Sequence, residues 1–148
     1  MLKVVFPEPR FKIEKKEGKD CLFDGIRKQW IVLTDEEWVR QNFIQFLVQE
    51  LKYPETLIAV EKEMQLGELK KRFDILVYNS EHRPWLLVEC KAQDIDLDEK
   101  VFEQVLRYNI SLPCNYLLIT NGQYTIGWER TGDKLIELNQ FPVWKKNE

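Results

Sequence analysis

Between residues 70 and 91 the chain carries charge inside what otherwise reads as buried strand, and this limits its fold more than any other stretch. The run Lys70-Lys71-Arg72-Phe73-Asp74-Ile75-Leu76-Val77-Tyr78 leads into a polar turn at 79–84, then Trp85-Leu86-Leu87-Val88-Glu89-Cys90-Lys91. Strand side chains alternate between faces. Alternation puts Phe73, Ile75 and Val77 on one face, with Asp74, Leu76 and Tyr78 on the other. Glu89 and Lys91 likewise share a face, opposite Val88 and Cys90.

A turn this short makes the two strands an antiparallel hairpin and brings Asp74 near Glu89. Isolated buried charges are costly, so such a group must be paired, neutralised or bound to a metal. Magnesium is typically held by one or two carboxylates with waters and substrate phosphate, which makes Asp74 and Glu89 candidate ligands within bridging distance of one ion. The other reading is an ion-pair network of Asp74, Glu89 and Lys91 without catalysis. Spacing alone leaves both open.

Asp74, a gap of fifteen positions and then Glu89-Cys90-Lys91 resemble the PD-(D/E)XK nuclease motif. The nearer resemblance, spanning nearly the whole chain, is to the N-terminal nuclease domain of type I restriction-enzyme R subunits and its short stand-alone relatives. Phe73 stands where the motif's proline would be, a departure that touches no ligand. The resemblance implies an α/β, restriction-endonuclease-like core: a central mixed β-sheet flanked by helices, with extra short strands at both ends. It implies a magnesium- or manganese-dependent nuclease acting on DNA, with RNA as a second candidate substrate. Asp74, Glu89 and Lys91 would be catalytic, and Asp74, Glu89 and the Cys90 backbone carbonyl would hold the metal. Lys91 would supply the cation beside the reacting phosphate. The alternative is a non-cleaving module of the same fold that binds nucleic acid or protein.

At 148 residues, with 44% hydrophobic content, the chain is the size of one domain with a substantial core. It divides into an extension over 1–33, a core over 34–122, and a hairpin and tail over 123–148. Its apolar runs are too short to span a bilayer and its start lacks a signal-peptide core, so a cytoplasmic protein without a membrane partner is expected. Cys21, Cys90 and Cys114 show no zinc spacing and fit packing roles in a reducing compartment. His82 lies in the hairpin turn, a solvent position rather than that of a general base. No Gly-rich Lys-Ser/Thr phosphate loop is present, so no ATP site is expected. A partner protein or a second copy of the chain remains open.

The net charge of −3 argues against gripping nucleic acid by bulk electrostatics. Charge is uneven, however: residues 70–92 carry five Lys/Arg against three Asp/Glu, whereas 31–69 carry three against eight. Lys70, Lys71 and Arg72, adjoining Asp74, are the candidate nucleic-acid contacts.

Upstream, apolar runs at 4–6, 11–13 and 30–33 predict short strands, with a Lys/Glu-rich turn over 14–20. Phe23-Asp24-Gly25-Ile26-Arg27-Lys28 also resembles the opening of the stand-alone relatives; Asp24 with Arg27 reads as a local ion pair or turn anchor. Thr34 caps a helix over 35–52, with Glu37 three positions on. Glu37 has two readings: a capping-box partner or, as the resemblance of Glu36-Glu37-Trp38-Val39-Arg40-Gln41 to the family's first core helix implies, a further metal ligand. Strands are predicted near 56–66, 72–79, 85–91 and 115–120, and a helix near 98–111 capped by Asp98, with Leu97 and Phe102 as a hydrophobic staple. Val101, Val105, Leu106 and Ile110 form its apolar stripe. On that helix Gln104 and Tyr108 are four apart, resembling the Gln-x-x-x-Tyr accessory motif of RecB-like nucleases. A further hairpin follows Gly122, and the tail from Pro142 is expected to fray.

Overall fold

The computed structural model describes residues 1–145, with the side chains of 108–111 outside the described set. Its centre is a mixed sheet of seven strands. Strands β5 (Ile58–Leu66), β6 (Leu69–Tyr78) and β7 (Pro84–Cys90) form an antiparallel meander. Helix α2 (Glu99–Ser111) then carries the chain to β8 (Tyr116–Thr120), which pairs parallel with β7. Returning a strand parallel to its predecessor requires such a crossover. Strand β9 (Tyr124–Thr131) pairs with β8, and both β1 (Leu2–Lys3) and β10 (Lys134–Glu137) pair with β9. The C-terminal hairpin therefore extends the central sheet. The family-type α/β architecture, with a mixed sheet and two helices, is as expected.

Helix α1 (Asp35–Gln49) covers one face of the sheet, its Val39, Phe43 and Leu47 packing with Ile58, Ile75, Val77, Leu86 and Val88. The Thr34 hydroxyl accepts from the Glu37 amide at 3.0 Å. The other half of a capping box is not made, because the Glu37 carboxylate turns towards arginines. Helix α2 covers the opposite face through Val105, with Val101 and Phe102 packed against the same core. Asp98 caps it, its Oδ1 accepting from the amides of Lys100 and Val101. Leu106 departs from the expected stripe and is exposed; Ile110 lies outside the described residues.

The N-terminal segment differs from expectation. Strands β2 (Ile13–Lys16), β3 (Lys19–Asp24) and β4 (Gln29–Val32) form a separate antiparallel sheet, so the Lys/Glu-rich stretch is itself a hairpin. Glu17 and Gly18 have φ of 52° and 78°. Two successive positive φ values give the tight turn whose twist suits a hairpin, and this shrinks the predicted turn to two residues. The tail as far as residue 144 is likewise docked: Tyr53 donates to the Pro142 carbonyl, Trp144 Nε1 donates to the Tyr78 carbonyl at 3.1 Å, and Phe141 packs on Phe43 and Phe46, while 146–148 lie outside the described residues.

Strict alternation also fails at one place. Ile75 and Val77 join the α1-side core, but Phe73 packs with Leu76 on the α2 side. In β5, Ile58 and Val60 face α1 while Met64 and Leu66 face α2. The two strands change face together at Glu61 and Asp74, which lie between the pairs Val60 with Ile75 and Lys62 with Phe73. Glu61 has a φ of 51°, a left-handed value that turns the strand at this point.

Candidate active site

Asp74 stands where β6 and β7 part. Ile75 with Val88 is the last pair in that ladder, and one further step of the same register sets Asp74 opposite Glu89. Here a side chain replaces a backbone acceptor: Asp74 Oδ2 accepts from the Cys90 amide at 2.8 Å. Asp74 and Glu89 are 7% and 8% exposed, so both carboxylates are largely stripped of water.

On the α1 side, Asp74 Oδ1 accepts from Arg40 Nη2 at 2.7 Å. The same nitrogen faces Glu61 Oε1 at 2.6 Å and Glu36 Oε1 at 3.1 Å, while Nη1 donates to Glu37 Oε1 at 2.8 Å. Arg27 Nη2 also donates to Glu37 Oε1, at 2.9 Å, and Gln41 donates to Glu37 Oε2 and to Asp24 Oδ2. Asp24 in turn accepts from Arg27 Nε and from the amides of Ile26 and Arg27. A continuous polar chain thus runs from the β3–β4 turn through α1 to Asp74.

On the α2 side, Glu89 lies opposite Asp74 in the β6–β7 register. Lys91 Nζ is 3.5 Å from Glu89 Oε1 and donates to Gln104 Oε1 at 3.0 Å. The Lys91 amide donates to the Thr120 carbonyl at 2.8 Å, which ties the strand end to β8.

The electrostatics follow from burial and neighbours. Burial, then the Asp74 charge, push the Glu89 carboxyl up to about 8, against the pull of Lys91. Burial opposes the charge of Arg40, yet Asp74, Glu37 and Glu61 raise its pKa further, so it stays a cation. Burial would raise Asp24, but hydrogen bonds from Arg27, Ile26 and Gln41 hold it below the usual carboxylate range. Burial pushes the Cys90 thiol well up, so it is an inert core group.

Among the described residues, no third His, Cys, Asp or Glu completes a metal-binding group with this pair. Two carboxylates nevertheless fit magnesium or manganese, since hard cations take oxygen donors and magnesium keeps several waters.

Of the residues picked out from sequence, Asp74, Glu89, Lys91 and Gln104 come together. Glu37 comes close but has both carboxylate oxygens engaged by Arg27, Arg40 and Gln41. Tyr108 lies outside the described side chains. Lys70 and Arg72 lie on the exposed half of the β5–β6 hairpin, paired with Glu63, and Arg72 also reaches Glu61. Lys71 lies beside them on β6. His82 is exposed in the 79–84 turn, and all three cysteines are buried and unbridged.

Arg40 and Gln41 entered the sequence reading only within the pattern around Glu37, with no role of their own, and Glu61 did not enter it. The available signal was Glu36-Glu37-x-x-Arg40-Gln41 in a helix, where three- and four-residue spacings align side chains. Residues 39–47 of α1 are all buried, so these polar groups had to find partners inside the protein.

A mixed sheet flanked by helices, with Asp74, Glu89 and Lys91 converging at a strand end, is a restriction-endonuclease-like core. The family model for the type I restriction enzyme R protein N terminus matches residues 35–142, and the chain belongs to that family. No curated protein matches the chain. The matched stretch starts at α1 and includes Arg40, Asp74, Glu89, Lys91 and Gln104. Asp24 and Arg27 precede it. Among the described residues, no helix is long and apolar enough to cross a membrane.

Proposed function

We propose that the protein is a magnesium- or manganese-dependent nuclease that hydrolyses phosphodiester bonds of DNA. The observation that carries this reading is the opposition of two buried carboxylates, Asp74 and Glu89, with the Lys91 ammonium beside them. Asp74 and Glu89 would hold the ion, with the Cys90 carbonyl on the same strand end as a further ligand. A bound divalent ion supplies positive charge to polarise the phosphate and acidifies a coordinated water.

The chain's own residues do the rest. Lys91 is held by Gln104 and Glu89, so its ammonium is fixed where charge builds up on the phosphate oxygens in the transition state. Holding that cation in place beforehand lowers the reorganisation needed at the moment of reaction. Burial and the neighbouring Asp74 raise the proton affinity of Glu89, so its proton would have to leave before Glu89 could hold a cation. Lys70, Lys71 and Arg72, on the strand leading into Asp74, would contact the DNA backbone locally, as a net charge of −3 requires.

The test is cleavage of single- and double-stranded DNA with magnesium and with manganese, for native protein and Lys91→Ala. Lys91→Ala should lose about 10²–10³ in rate, the usual cost of one such electrostatic contact, while still binding metal. A native protein that binds metal but cuts no DNA substrate is a binding module instead. One that neither binds metal nor cuts, and whose Lys91→Ala variant melts much lower, carries a structural ion-pair network.

A further inference from the structure

Arg40 occupies an unusual position for a buried arginine. Its side chain is 6% exposed and its two amino groups meet Glu36, Glu37, Glu61 and Asp74. Nη1 is committed to Glu37 at 2.8 Å. Nη2 has two protons but faces three carboxylate oxygens, Glu61 at 2.6 Å, Asp74 at 2.7 Å and Glu36 at 3.1 Å. It can release any one of them and still spend both protons on carboxylates. Meanwhile Arg40 Nε is buried with no partner, so the guanidinium is not held at every donor. A buried unsatisfied donor costs free energy. The present pose is therefore one arrangement among alternatives, not a saturated clamp.

We infer that Arg40 is a displaceable counter-ion: it neutralises Asp74 while the site is empty and yields Asp74 Oδ1 when a divalent cation binds, keeping Glu61 and Glu36 as its acceptors. The inference rests on the metal-dependent reading above. It assigns Arg40 a function at the same site, as a positioning residue that touches Asp74 and not the substrate. The Asp24, Arg27 and Glu37 chain anchors Nη1, so only the Nη2 side of the guanidinium is free to change partners. The arrangement explains how two carboxylates can face each other in the folded chain before metal arrives. It also means that the ion competes with a fixed positive charge for the same oxygen.

The experiment is a titration of the full chain with manganese, followed by calorimetry, for native protein, Arg40→Gln and Glu61→Gln. Arg40→Gln removes the competing charge a few ångströms from Asp74 and should bind manganese on the order of tenfold more tightly. Its metal-free melting temperature should fall, and its rise on adding manganese should exceed that of the native protein. A residue that merely shapes the site predicts the opposite, weaker binding. Glu61→Gln turns one charged acceptor that Arg40 would fall back on into a neutral amide, so displacement becomes harder and manganese binding weakens severalfold. That variant keeps the test open if Arg40→Gln fails to fold. Equal or weaker binding by a folded Arg40→Gln, or unchanged binding by Glu61→Gln, overturns the inference while leaving the metal-dependent reading in place. Absence of manganese binding by the native protein overturns both.

Discussion

Asp74 meets two different environments on its two sides. Towards α1, the chain of Asp24, Arg27, Glu37 and Arg40 gives each charge an opposite partner at hydrogen-bonding distance. Towards α2, it meets Glu89, a second buried carboxylate, with Lys91 at 3.5 Å and partly occupied by Gln104. Two buried polar clusters less than a strand apart thus obey opposite rules. A structural network is satisfied as it stands, and removing one member exposes the rest. An under-neutralised pair must hold a proton or a cation to stay relaxed, and removing one carboxylate removes that need. That distinction separates scaffold from candidate site without reference to family.

The largest effect expected from this contrast is on the satisfied side. Arg27→Leu leaves Asp24 buried with only Gln41 and backbone amides, and leaves Glu37 with Gln41 and Arg40. Breaking a buried charge pair typically costs about 3–5 kcal/mol. Urea unfolding should show a loss of that size, with or without magnesium, because Arg27 contacts neither proposed ligand. A loss below about 1 kcal/mol, the value of an exposed pair, would mean that the α1 side is solvated and the contrast false.

On the under-neutralised side the sign reverses and pH reveals it. The folded protein raises the Glu89 carboxyl from 4.5 to about 8, through burial first and Asp74 second. Between those values the folded state keeps a proton that the unfolded chain releases. Stability from this group is therefore full below the unfolded value and is lost as pH climbs through the folded one. The metal-free native protein should become less stable from pH 4.5 to about 8 and level off above that. Glu89→Gln, which cannot ionise, should remove the decline and melt higher than native protein at the alkaline end. Magnesium should flatten the native curve by replacing the proton. Melting curves of the two proteins that run parallel across this range would end the argument for a strained pair.

The same contrast explains what could be read in the sequence. Helices α1 and α2 and strands β5 to β8 were legible because apolar periodicity and caps such as Thr34 and Asp98 act locally. The meeting of Asp74 with Glu89 was legible too, since a short turn fixes register. Three features were not. The charged hairpin at 13–24 has an entirely exposed first strand, so it carries no alternation to detect. The change of face at Glu61 and Asp74 breaks the period-two rule at the very residue whose orientation mattered, through a backbone angle that residue type does not encode. Arg40 was hidden because its partners come from α1, β5 and β6, and only the tertiary fold unites them. Docking of the tail through Pro142 and Trp144 was missed for the same reason: a short polar-looking end gives no sign of the groove that receives it.

The smallest expected effect concerns Gln104, and it tests whether the two sides differ in function as well as in charge. Its carbonyl accepts from Lys91 Nζ at 3.0 Å, across from Glu89, which sits 3.5 Å from the same ammonium. Gln104→Leu keeps an apolar stem one atom shorter and removes the acceptor, leaving Glu89 at 3.5 Å from Lys91 Nζ. Loss of one such hydrogen bond costs about 0.5–1.5 kcal/mol when made between ordinary partners, and somewhat more when one is charged. If that bond only stabilises the fold, the whole effect appears in unfolding and cleavage is unchanged under folding conditions. If Gln104 fixes the ammonium for phosphate, stability changes little and kcat drops by about tenfold, while manganese affinity stays within about twofold because neither carboxylate has been touched. Measuring unfolding, manganese binding and single-turnover cleavage on one preparation separates the two, and a fall in manganese affinity matching the fall in rate would assign Gln104 to the ligand set rather than to Lys91.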